Sequence, residues 1–137
     1  MDNKSIWKFL WKEGIMISYL AYLYEQLRRK KEELARLQSC QSALIACQGD
    51  FFSNEPFCLL PELSNVTWHG QLASQFERIR HHEILLNYQD IESHQMNRSL
   101  QVLSMKIEET KREIALLEIA IQQELARLRE SASSKRM

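Results

Sequence analysis

Gly70 is the last glycine of the chain and Pro61 its last proline, so everything from Gln71 to Met137 lacks the two residues that most strongly stop helices. In a helix interior Gly costs about 1 kcal/mol and Pro about 3 kcal/mol relative to Ala. Without them, such a stretch wound as one helix would reach about 100 Å at ~1.5 Å per residue. Leu, Ala, Glu, Gln, Lys and Arg dominate both ends of the chain, and all are good helix formers. These features predict an all-α fold, an elongated antiparallel helical hairpin or coiled coil. A length of 137 residues suits one domain.

The apolar pattern places the helices. Leu20, Leu23, Leu27, Leu34, Leu37 and Leu44 alternate at spacings of three and four, with Lys30 and Gln41 filling two positions of the same seam. A heptad stripe of this kind needs a partner helix. It predicts a first helix from about Ile17 to Gln48, ended by Gly49-Asp50. Residues 49–67 then read as a connector with turn-formers at Asn54-Glu55-Pro56, Pro61 and Ser64-Asn65. Phe51, Phe52, Phe57, Cys58, Leu59, Leu60, Leu63 and Val66 make it too apolar for a free linker, so it should be ordered and packed.

The second helix is expected to start between Trp68 and Gln71, with Ser64 or Thr67 as its cap. Trp68, Leu72, Phe76, Ile79 and Leu86 form its first stripe. From Tyr88 to Ser99 the pattern turns polar and predicts a kink, a stutter or a short break. Leu100, Leu103, Ile107, Ile114, Leu117, Ile121 and Leu128 then resume the heptads, with Thr110 and Glu124 as polar seam members. The domain is expected to cover residues 16–131, with a frayed tail over 132–137. Two pairings are open. One lays Leu20 beside Leu128 and makes Glu118 the approximate mate of Lys30. The other sets Leu44 beside Phe76 and leaves the C-terminal stripe for a partner or a second copy.

Residues 1–15 read differently. Ile6-Trp7-Lys8-Phe9-Leu10-Trp11 is an aromatic prefix with its own stop at Gly14, whereas Met16 opens a clean helix. Lys12-Glu13-Gly14-Ile15 also back-translates to a purine-rich ribosome-binding sequence just ahead of a start codon. The expectation is that Met16 is the true start; the rival reading of residues 1–15 is an amphipathic anchor.

Several functions are disfavoured. With 18 basic and 18 acidic residues, the chain lacks the basic excess that nucleic acid demands. Arg28 to Lys31 is followed at once by Glu32-Glu33, a solvated face. No segment offers the ~18–20 apolar residues of a membrane span, and the apolar run Ile15–Tyr24 lacks a cleavage site. His81-His82-Glu83, with His69 and His94, is the one candidate metal cluster. Adjacent helical histidines diverge by about 100° of rotation and do not share a face. No phosphate loop, nucleophile elbow or zinc-binding cysteine pattern is present, so neither an enzyme nor a cofactor is expected. Cys40 and Cys47 sit about 10 Å apart in helical rise, too far to bond each other. In a reducing cytoplasm they and Cys58 read as small buried thiols. In an exported protein Cys58 would bridge to Cys40 or Cys47.

Trp68-His69-Gly70 resembles the turn of the WXG superfamily, small helical hairpins exported by type VII (ESX-like) secretion systems. Gly permits the tight backbone turn and Trp fills the space between helix ends. The flanks carry the likeness further. From Met16, the order Tyr19-Leu20-x-Tyr22-Leu23-Tyr24, Cys40, Cys58-Leu59-x-Pro61-Glu62-Leu63, Thr67 to Gly70 and Phe76 is similar to the YwqH-like family, over about residues 16–128. Members are encoded beside LXG-domain polymorphic toxins. The resemblance implies a non-enzymatic helical partner or targeting chaperone of such a toxin, with Trp68, Gly70, Leu72 and Phe76 at the contact. A second small helical protein or another copy of the chain would be further partners. It implies a cytoplasmic protein, or one co-exported without a cleaved signal peptide. Tyr88-x-x-x-Glu92 matches the Tyr-x-x-x-Asp/Glu export signal of some relatives. The connector is longer than a simple WXG turn, so the WXG four-helix dimer does not transfer directly. The alternative is a self-associating coiled-coil scaffold or a cytosolic adaptor unrelated to secretion.

Overall fold

A computed structural model describes residues 16–63 and 70–135. The fold is an all-α helical hairpin, with no strand among the described residues. Helix α1 spans Met16–Asn54 and runs into a 3₁₀ turn, Glu55–Leu59. Helix α2 is Gln71–Ile79, α3 is Leu86–Asp90 and α4 is Met96–Lys135. Two π-helical turns, Arg80–Leu85 and Ile91–Gln95, join α2 to α3 and α3 to α4. By compactness the chain divides into two units, Met1–Leu37 with Ile107–Met137, and Gln38–Lys106.

In the first unit the heptad seams meet. Leu23, Ile107, Thr110, Ile121 and Glu124 are buried, while Leu20, Leu27, Leu34, Leu37, Ile114, Leu117 and Leu128 are half-buried. Thr110 is the one fully buried side chain among them, a small polar member of a seam built mainly of Leu and Ile. Lys30 finds its partner in Glu113, at 2.5 Å, while Glu118 lies 4.0 Å from the neighbouring Lys31. The expected mate of Lys30 was therefore misplaced by five residues. The carboxylate of Glu113 is the main cause of a raised Lys30 pKa. Helix α4 continues to Lys135, into residues expected to fray.

The second unit closes α1 against α3 and the start of α4 in antiparallel order. Gln48 donates to the Glu92 carbonyl (2.9 Å) and to Asn97 Oδ1 (2.8 Å). Further along, the Tyr88 hydroxyl donates to the Phe51 carbonyl at 2.6 Å, and the two rings lie 4.9 Å apart. Gln89 donates to Glu55 at 2.8 Å. This places the level of Gln48 opposite Glu92 and Asn97, so the pairing of Leu44 with Phe76 is not formed.

Those contacts explain why α1 passes through Gly49 instead of ending there, and why the connector begins later than residue 49. An interior Gly costs about 1 kcal/mol, and an aromatic pair such as Phe51–Tyr88 returns a similar amount, about 0.5–1.5 kcal/mol. Pro56 supplies the stop: lacking an N–H, it cannot bond the Phe52 carbonyl, and the chain tightens into the 3₁₀ turn.

Across the polar stretch the backbone stays helical. Met96 N–H donates to the Ile91 carbonyl, five residues back, the closure that defines a π turn. The inward residues of this unit run Ala73, Glu77, Arg80, Leu85, Tyr88, Glu92, Met96, Leu100 and Leu103. Successive steps of four between Tyr88 and Leu100 are a stutter in the heptad. The step of five from Arg80 to Leu85 spans the first π turn, which takes up an extra residue.

Candidate functional site

The phase shift decides which face of α2 looks outward. Gly70 opens the helix with φ 106°, a left-handed conformation suited to glycine, and its carbonyl accepts the Ser74 N–H at 3.1 Å. Ala73 and Arg80 are the buried residues that follow. Leu72, Phe76 and Ile79 are 69%, 38% and 46% exposed, and Leu86 beyond the π turn is also exposed. The first stripe of this helix is thus a solvent-facing apolar row. The anchors on the other side are Ala73, which is buried, and Arg80, whose guanidinium finds the Pro61 carbonyl and Glu77.

Arg80 is 3% exposed. Its Nη1 donates to the Pro61 carbonyl at 2.7 Å, Nη2 pairs with Glu77, and its guanidinium carbon lies 5.1 Å from the centre of the Phe76 ring. It fastens the stretch after the 3₁₀ turn to the end of α2, and Phe76 covers it. Sequence reasoning missed this residue, because an arginine one position from an apolar stripe reads as solvated.

Of the residues singled out from sequence, the structure brings Leu72 and Phe76 onto one exposed face, one turn beyond Gly70. Trp68 lies outside the described residues. Tyr88 and Glu92 point into the hairpin. Tyr88 is held by Phe51, and its pKa is raised by burial first and then by Cys58, Glu92, Glu55 and Cys47. Glu92 is buried and its pKa is raised, first by burial and then by the carboxyl of Glu55. A receptor reading these two side chains as a signal would have to reach them inside the fold. Cys40 is exposed and Cys47 and Cys58 are half-buried, all as free thiols.

Among the described residues no group of three or more His, Cys, Asp or Glu is placed to hold a metal ion. His81 lies 3.7 Å from Glu77, and His94 lies 3.2 Å from Asp90, each on an exposed helix surface. No helix among the described residues is long and apolar enough to cross a membrane. The depression bordered by Phe52, Glu55, Leu86, Gln89 and His94 is open to solvent. The arrangement suits docking of an apolar helix or strand against α2. Comparison with family models, with curated proteins and with solved structures returns no match.

Proposed function

We propose that this chain is a non-enzymatic helical partner and targeting chaperone of an LXG-domain toxin in type VII secretion, docking through the outward face of α2. The single observation that carries the docking reading is the row Leu72, Phe76 and Ile79, left exposed although its helix is anchored on the opposite side by Ala73 and Arg80. Burying a side chain of this size is worth about 1.5–3 kcal/mol, and a row at spacings of four and three is the pattern one helix offers another in a groove. The identity of the partner rests on the YwqH-like resemblance of the flanking sequence.

Co-expression with the LXG domain encoded beside this chain tests the proposal. Affinity capture should recover both proteins together, and Leu72→Glu, at the most exposed position of the row, should abolish capture while leaving the helical circular dichroism unchanged. A wild-type chain indifferent to that LXG domain overturns the reading.

A second reading, self-association as a coiled-coil scaffold, is favoured by a different observation. Leu116 and Ile119 on α4 are 66% and 54% exposed, on the side away from its buried seam. In this case light scattering would report a dimer of the chain alone, which Ile119→Lys would split.

A further inference from the structure

Helix α4 carries a second heptad stripe, one that its own hairpin leaves uncovered. The large apolar side chains of α4 that are exposed among the described residues are Val102, Met105, Leu116 and Ile119, each by more than half. With Glu109 and Arg112, both exposed, they form the series 102, 105, 109, 112, 116, 119, which alternates steps of three and four. That is the repeat of a coiled-coil seam, sustained over about 26 Å of one unbroken helix at ~1.5 Å per residue. Each member stands two residues beyond a position of the inward seam that runs from Leu100 to Leu117. Two residues turn a helix by about 200°, so the stripe lies on the side of α4 away from that seam.

The chemistry along the stripe reads the same from both ends: an apolar pair, a charge, the opposite charge, an apolar pair. Turned end over end about a two-fold axis at the level between Thr110 and Lys111, the stripe meets itself. Val102 of one copy then faces Ile119 of the other, Met105 faces Leu116, and Glu109 faces Arg112. An isologous contact repeats each of these layers on both sides of its axis. Parallel alignment would instead set Glu109 against Glu109 and Arg112 against Arg112, like charges in the middle of the apolar layers. Sliding the antiparallel pair by one heptad moves both charges against apolar side chains, where each is desolvated without a partner. Charge thus selects one orientation and one register, and a second copy carries the matching series by construction. Glu109 already interacts within its own chain; the copy's guanidinium adds to that contact.

We propose that α4 pairs with α4 of a second copy in antiparallel orientation through Val102, Met105, Leu116 and Ile119, with Glu109 and Arg112 crossing at the two-fold axis. This rests on the self-association reading and gives it an orientation and a register. It makes no use of the row Leu72, Phe76 and Ile79, so one chain can offer its two faces to two different partners.

Sedimentation equilibrium of the full chain tests it. The wild type should dimerise. Glu109→Arg and Arg112→Glu each gather four like charges around the axis and should each raise the dimer dissociation constant by about tenfold. Combined in one chain they exchange the two charges, and the constant should return to within about threefold of wild type. Val102→Lys, facing Ile119 of the copy, should weaken the dimer as Ile119→Lys does. All these positions are exposed, so the far-ultraviolet circular dichroism of each variant should match the wild type. A dimer that Ile119→Lys splits but Val102→Lys and the charge reversals leave intact keeps the self-association reading and overturns this register. Single reversals that the double variant fails to rescue overturn it as well. A chain that is monomeric alone overturns both, including the case in which Val102→Lys abolishes capture of the neighbouring LXG domain.

Discussion

Arg80 is the residue whose removal tests most directly how the second unit holds its turn. Arg80→Met keeps the length and apolar stem of the side chain and deletes the guanidinium. On the debit side are the bond to the Pro61 carbonyl at 2.7 Å, the pairing with Glu77 and the contact with Phe76. Hydrogen bonds involving a charged group contribute about 1.5–3 kcal/mol each, and a guanidinium over an aromatic ring adds about 0.5–1 kcal/mol. Against this, Arg80 Nε is buried with no hydrogen-bond partner, a strain worth about 1–3 kcal/mol that the substitution relieves. The balance is a loss of about 2–4 kcal/mol, overlapping the ~3–5 kcal/mol for breaking a buried charge interaction from one side. Urea unfolding followed by far-ultraviolet circular dichroism measures it as a lower midpoint. Arg80→Lys should fall between the two, because a point charge cannot serve Pro61 and Glu77 in the fork geometry of a guanidinium. An Arg80→Met protein within about 0.5 kcal/mol of wild type, the range of an ordinary surface substitution, would refute the assignment of Arg80 as the fastening.

Two glycines should respond in opposite directions. Gly49 lies inside α1 with open space where a Cβ would go, so Gly49→Ala should stabilise by about 1 kcal/mol and raise the melting temperature. Gly70 has the same open space but φ 106°, so Gly70→Ala should destabilise by about 1–2 kcal/mol; equal effects of the two would show that conformation is not what separates them. Maleimide labelling of the native protein should modify Cys40 first and Cys47 and Cys58 more slowly, following their exposure. Uniform labelling rates would contradict that burial order.

The heptad seams were readable in advance because Leu20 to Leu44 and Leu100 to Leu128 repeat at a period that only a helix seam uses. Each of those positions is buried or half-buried, including the polar members Lys30, Gln41, Thr110 and Glu124. What escaped notice was phase and termination. A glycine inside a helix and one at its end look alike in a sequence, and only the Phe51–Tyr88 contact, 37 residues apart, tells them apart at Gly49. A π turn leaves no compositional mark, so the step of five from Arg80 to Leu85, which breaks the phase between the row Leu72, Phe76, Ile79 and the seam beyond it, cannot be read from the sequence. The polar stretch Tyr88 to Ser99 looked like a weak point because its partners, Gln48 and Glu55, lay in what read as a helix end and a connector. Of the candidate contact residues, Leu72 and Phe76 were legible as apolar and on one face; their exposure was not, because it depends on where Arg80 finds its acceptors.

The step of five between Arg80 and Leu85 also says where this chain can change length. Each residue of an α-helix turns the side chains by about 100°, so deleting one from the middle of α2 or α4 would swap inward for outward on everything beyond it. Within the Arg80–Leu85 turn the surplus is already present. Removing one residue between Arg80 and Leu85 restores ordinary α closure while Ala73, Glu77 and Arg80 stay inward and Leu72, Phe76 and Ile79 stay outward. Length variation is usually looked for in loops, yet in this fold a helical segment is the place where a residue can come or go without reassigning either face.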